Sequence, residues 1–78
     1  ATALFAGGDG LDVVRGLITG ASGVLCPGGL LALEVGASQA HAAAEMIRGQ
    51  GGFDEPAVRK DLAGRDRIVT ARLHARED

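Results

Sequence analysis

Leu30-Leu31-Ala32-Leu33-Glu34-Val35 is apolar through its first four residues and is closed by Gly36. A strand covered on both faces reads this way, because a half-solvated strand would alternate polar and apolar residues. Such strands belong to parallel sheets with helices on each side, so this stretch predicts an α/β fold. Just before it, Pro27-Gly28-Gly29 predicts a tight turn in which glycine supplies the positive φ of a type II geometry. Further upstream, Leu11, Val14, Leu17, Ile18, Ala21, Val24 and Leu25 recur at three- and four-residue spacing, the signature of an amphipathic helix. Gly16, Gly20 and Gly23 each cost that helix roughly 1 kcal/mol against Ala. Asp9 reads as its N-cap, with Asp12 placed as in a capping box. Residues 1–8 show little periodicity and end in Gly7-Gly8, so they read as a loop.

Downstream of Gly36, Ser38 can cap a second helix whose buried stripe is Ala40, Ala43, Ala44 and Ile47. Gly51-Gly52 supplies its stop. Residues 57–62 form a polar strand candidate with Pro56 at its start, where a missing N–H does least harm. Residues 67–73 form a stronger one, with Val69, Ala71 and Leu73 on one face and Ile68, Thr70 and Arg72 on the other. Ala63-Gly64-Arg65-Asp66 would join them as a hairpin. Residues 74–78 read as a charged tail. The expected order is helix, strand, helix, strand, strand, the last two strands forming an antiparallel hairpin.

At 78 residues the chain is one small domain at most, and a domain of this size buries only about 60% of its unfolded surface. With 46% apolar and 23% charged residues it is globular in composition, but it has no Trp or Tyr and two Phe. Its core must come from Leu, Val, Ile and Ala. A formal net charge of −2 argues against nucleic acid as a partner. No apolar run approaches the roughly 18 residues that span a bilayer. The lone Cys26 forbids an internal disulfide and suits a reducing cytoplasm. Ala1-Thr2-Ala3-Leu4 reads as a cut end rather than a native start.

Few residues carry chemistry. Glu34 lies at the carboxyl end of the apolar strand, the edge at which open α/β sheets place ligands. There it either contacts a polar substrate or is a rim carboxylate that points into water or pairs with a nearby Arg. Gly7-Gly8-Asp9-Gly10 is either a phosphate-cradling loop or a flexible loop with a helix cap. It matches neither common phosphate motif, and Asp9 would repel the anion. His41 and His74 lack partners at metal-ligand spacing, and Cys26 reads as a partly buried, inert thiol. Ser22 and Ser38 have no nucleophile-elbow context. Arg59, Lys60, Arg65 and Arg67 give the hairpin a basic tip, either a contact for an acidic partner or a guard against edge aggregation.

Three phrases bring a resemblance. Leu25-Cys26-Pro27-Gly28-Gly29 running into Leu30–Glu34 resembles the helix–turn–strand phrase of Rossmann-like S-adenosylmethionine-dependent methyltransferases, with Cys26 where Lys is usual. Ala3-Leu4-Phe5-Ala6-Gly7-Gly8-Asp9-Gly10-Leu11-Asp12 resembles the A-L-x-G-G-x-D-G-L-D segment of the HemK-type enzymes, the protein-(glutamine-N5) methyltransferases of peptide chain release factors. Ala6 stands where that family commonly has Gly. Asp61-Leu62-Ala63-Gly64-Arg65-Asp66-Arg67 resembles the family's closing D-L-x-G-x-D-R hairpin, and Glu34-Val35-Gly36 with Gln39 its E-x-G-x-x-Q segment.

The resemblance implies the C-terminal portion of a Rossmann-like sheet: the fifth strand, the terminal hairpin and two helices. It implies methyl transfer from S-adenosylmethionine to the glutamine amide of a Gly-Gly-Gln motif in a release factor. The family's cofactor loop, its ribose-binding acid and its Asn-Pro-Pro-Tyr motif belong upstream and are not in these residues. The chain is therefore expected to be inactive alone, with no catalytic, cofactor-binding or metal-binding residue of its own. Asp9, Glu34, Gly36 and Gln39 are its substrate-side candidates. The competing expectation is a small non-enzymatic α/β module that pairs into a homodimer through an exposed edge at residues 30–35.

Overall fold

The computed structural model describes residues 1–8 and 10–74, so all but the first residue of the expected charged tail lies outside the described residues. In chain order its elements are β1 (Ala3–Gly7), α1 (Leu11–Val24), β2 (Leu30–Glu34), a 3-10 turn (Ala37–Gln39), α2 (Ala40–Gln50), β3 (Ala57–Lys60) and β4 (Asp66–Arg72). The sheet order is β1-β2-β4-β3, with β1 parallel to β2 and both other pairings antiparallel. The α/β class and the closing antiparallel hairpin are as the sequence predicts.

β1 is the element that the sequence reading takes for a loop. Its Ala3-Leu4-Phe5-Ala6-Gly7 has no polar residue to mark a period of two, and it is stabilised from outside by its pairing with β2. Ala3 pairs with Leu30 and Gly7 with Glu34, while Leu4 and Ala6 pack against the core. With β1 on one side and β4 on the other, β2 is an interior strand. The expectation of an exposed edge at residues 30–35 is thereby corrected: among the described residues the edges are β1 and β3. Arg59 and Lys60 keep β3 charged, as edge strands commonly are.

The core joins Val14, Ile18 and Ala21 of α1 and Ala40, Ala43, Ala44 and Ile47 of α2 to Leu31, Leu33, Val69 and Ala71. Those last four residues alternate along β2 and β4 and so share one face. Both helices lie on that face. The opposite face carries Phe5, Leu30, Ala32, Glu34, Ile68 and Thr70, and Phe5 there is 74% exposed. Cover on both faces of β2 is therefore not what the described residues form. Its apolar run reflects an interior strand whose second face is merely lined with small and aliphatic side chains.

The helix starts differ from expectation. Gly10 (φ 89°) is the N-cap of α1 and no side chain caps it; Asp9 lies outside the described residues. Asp12 pairs with Arg15 at 3.5 Å instead of completing a capping box. Ser38 falls inside the 3-10 turn, and Gln39 takes the N-cap position of α2. The predicted stop at Gly51 is present, with φ 76°.

β3 ends at Lys60, short of the predicted limit at Leu62, because Asp61 starts the turn. Its Oδ1 accepts the backbone N–H groups of Ala63 (2.9 Å) and Arg65 (3.0 Å), an arrangement that offers the backbone an alternative to the ladder. The Arg65 N–H, chiefly, holds the Asp61 carboxyl below its ordinary value. Lys60, donating to Asp66 at 3.0 Å, does the same for Asp66, whose other oxygen lies 3.3 Å from His41 of α2. A carboxyl lowered by folding stabilises above its unfolded value and loses that contribution as pH falls through the folded one. The melting temperature is accordingly expected to fall on acidification below about pH 4. An Asp61→Asn, Asp66→Asn double variant should show a flatter acid limb in thermal melts followed by circular dichroism.

Candidate functional site

The end of β2 gathers three of the four candidate residues. The Glu34 carbonyl accepts the Gly8 N–H at 3.2 Å, which ties the β1–α1 loop to this edge. Asp9, next in that loop, lies outside the described residues. Beyond Glu34 the chain turns at Gly36, whose carbonyl accepts the Gln39 N–H at 2.8 Å. A Cβ on Gly36 would stand 3.2 Å from the Gln39 Oε1, so the amide of Gln39 folds back over the glycine. Glu34, Gly36 and Gln39 thus form one polar rim. The Glu34 side chain is 72% exposed.

A residue that the sequence reading leaves in the basic tip belongs to this rim. The Arg67 Nε–H donates to the Val35 carbonyl at 2.8 Å, and its guanidinium lies 3.9 Å from the Glu34 carboxylate. The expected Arg partner of Glu34 therefore exists, but the contact is long and leaves the carboxylate in solvent. Two other cations of the tip are tied up locally, Lys60 with Asp66 and Arg65 with Asp61. The Asp66-Arg67 pair in the sequence gives no sign of this aim, because where the guanidinium points depends on strand register.

Along the open face from Glu34 runs a groove of about 540 Å³, lined by Phe5, Ala32, Ile68 and Thr70 among others. Apart from Glu34 and Thr70 its walls are apolar or backbone. The other candidates stay ordinary. His74 pairs with Asp54 at 2.8 Å, and no group of metal-ligating side chains occurs among the described residues. Cys26 is exposed, not partly buried, because it leaves α1 in the turn rather than on the helix face. Ser22 Oγ–H donates to the Thr19 carbonyl. A strand does precede the Gly-rich loop, contrary to the sequence reading. Among the described residues no helix is long and apolar enough to cross a membrane.

No family model matches the chain, and no solved structure does. Curated proteins do. The chain is 49% identical over 69 residues to a release factor glutamine methyltransferase of Moorella thermoacetica, covering 88% of the chain and 24% of that relative. The same identity over 73 residues links it to the enzyme of that name from Cereibacter sphaeroides, covering 94% of the chain and 26% of the relative. A third, from Deinococcus radiodurans, is 49% identical over 70 residues. The chain spans about a quarter of the length of these relatives. Along some nine-tenths of its own length it is thus homologous to the release factor glutamine methyltransferases, the enzymes that its motifs resemble.

Proposed function

We propose that this chain is the C-terminal segment of a cytoplasmic, S-adenosylmethionine-dependent methyltransferase that modifies the glutamine of a release factor's Gly-Gly-Gln motif. The observation that carries the reading is 49% identity over nearly the whole chain, including the segments that build the β2 edge. Alone, the segment is inactive. The rim offers one carboxylate, one amide and one guanidinium on an open surface, and that set is not a cradle for a nucleoside with a charged amino-acid tail.

What these residues can do is orient the acceptor. An amide nitrogen is a weak nucleophile, so its rate depends on acceptors held against its N–H groups. Glu34, exposed on the rim that it shares with Gln39, has the chemistry to accept one of them. The test is a graft: the chain replaces the matched 69-residue segment of the Moorella enzyme. Methylation of a Gly-Gly-Gln peptide is expected, and Glu34→Ala should lower kcat by roughly tenfold or more, the effect of one lost hydrogen bond to a charged group. Unchanged turnover would sink the assignment of Glu34. Calorimetric titration of the isolated chain should detect no S-adenosylmethionine binding.

A second reading, self-association without catalysis, moves with the strand order to the β1 edge, where Phe5 is exposed. Mass in solution separates the two: a concentration-dependent dimer favours it, a monomer does not.

A further inference from the structure

Between Arg59 and Lys60 the β3–β4 register shifts: Arg59 faces Ile68 and Lys60 faces Asp66. Arg67 is therefore the extra residue of a β-bulge, unmatched on the β3 side. Bulges bend the strand and re-aim a side chain, and they concentrate beside functional sites. Toward β2, Arg67 is engaged twice. Its carbonyl accepts the Val35 N–H at 2.9 Å while its own Nε–H returns to the Val35 carbonyl at 2.8 Å. One residue thus takes both backbone groups of Val35, just past the last ladder pair of β2, where the chain leaves the sheet for Gly36.

We propose that Arg67 is a positioning residue for the β2 rim: from its bulge it clamps Val35 and thereby sets where Glu34, Gly36 and Gln39 stand. The guanidinium is the right group because it is planar and offers several donors in a rigid fork. Nε–H serves the carbonyl while the outer nitrogen stays near Glu34, holding its charge without enclosing it. Lysine has one donor centre and cannot serve both places. The functional part of this inference rests on the reading of the rim as a substrate wall; the structural part does not.

Amide hydrogen exchange on the intact chain, resolved by NMR, tests the clamp. In Arg67→Ala the Val35 and Gln39 amides, bonded to the Arg67 and Gly36 carbonyls, should exchange roughly tenfold faster, the effect of losing one backbone-directed hydrogen bond. The amides of Leu31 and Leu33 should keep their rates. Arg67→Lys should resemble Arg67→Ala. Uniform acceleration through β2 and β4 would make Arg67 an ordinary stabilising residue and overturn the proposal. So would unchanged rates at Val35 and Gln39, or wild-type behaviour of Arg67→Lys. In the grafted enzyme, Arg67→Lys should lower kcat and leave the KM for S-adenosylmethionine unchanged. If the graft itself cannot methylate, the reading of the rim fails, while the exchange rates still decide the clamp.

Discussion

Replacing Leu33 by Ala should remove a large part of the chain's stability. Leu33 is fully buried in β2, between Ala6 of β1 and Val69 of β4 and beneath the helices. Leu-to-Ala changes at such sites cost about 2–5 kcal/mol through lost transfer energy and the cavity left behind. Total stabilities are about 5–15 kcal/mol, and a domain of this size sits low in that range. In thermal melts the midpoint should drop by roughly 10–40 °C, or the cooperative transition should disappear. Phe5→Ala gives the contrast. It removes a larger side chain from the open face and should change stability by less than about 1 kcal/mol, since so little of Phe5 is buried.

Gly29→Ala is the second change expected to damage the fold, for a steric reason. A Cβ there would stand 2.8 Å from the Cys26 carbonyl and 3.2 Å from that of Ala1, both backbone atoms with little freedom to yield. The turn is held from several directions. Gly29 N–H donates to the Cys26 carbonyl and Gly28 N–H to that of Leu73, while the Leu73 N–H returns to Gly29. Pushing Gly29 aside strains all three, at a cost of about 1–3 kcal/mol. Urea titration should show the loss as a lower midpoint with little change in slope. Neighbouring Gly28 has open space but φ 81°, so its Ala variant should lose only about 1 kcal/mol, from backbone conformation alone.

Elements whose side chains carry a period are legible in the sequence. α1 announces itself through Val14, Ile18 and Ala21, α2 through Ala40, Ala43, Ala44 and Ile47, and every one of these is buried. β4 shows its alternation, with Val69 and Ala71 inward. β1 has no such pattern, since a run of small and apolar residues looks the same whether paired or not, and its pairing with β2 is what makes it a strand. At the rim, Glu34, Gly36 and Gln39 are close in the chain and their meeting follows from a tight turn. Arg67 comes from 32 residues beyond Val35 and enters through a one-residue register shift, which no local pattern encodes. Ser38 misled because a 3-10 turn intervenes before α2 and moves the N-cap to Gln39.

β4 follows the other described strands in the chain yet lies inside the sheet, between β2 and β3. Order of synthesis and order of assembly are consequently at odds. As the chain emerges from a ribosome, β1, α1 and β2 can join, but β2 presents a bare apolar border until Asp66–Arg72 arrives, and β3 has no neighbour at all. Two of the three strand pairings wait on that one segment. A ribosome stalled short of residue 66 would hold out a sticky, half-built sheet, the state that a chaperone retains and an aggregate recruits.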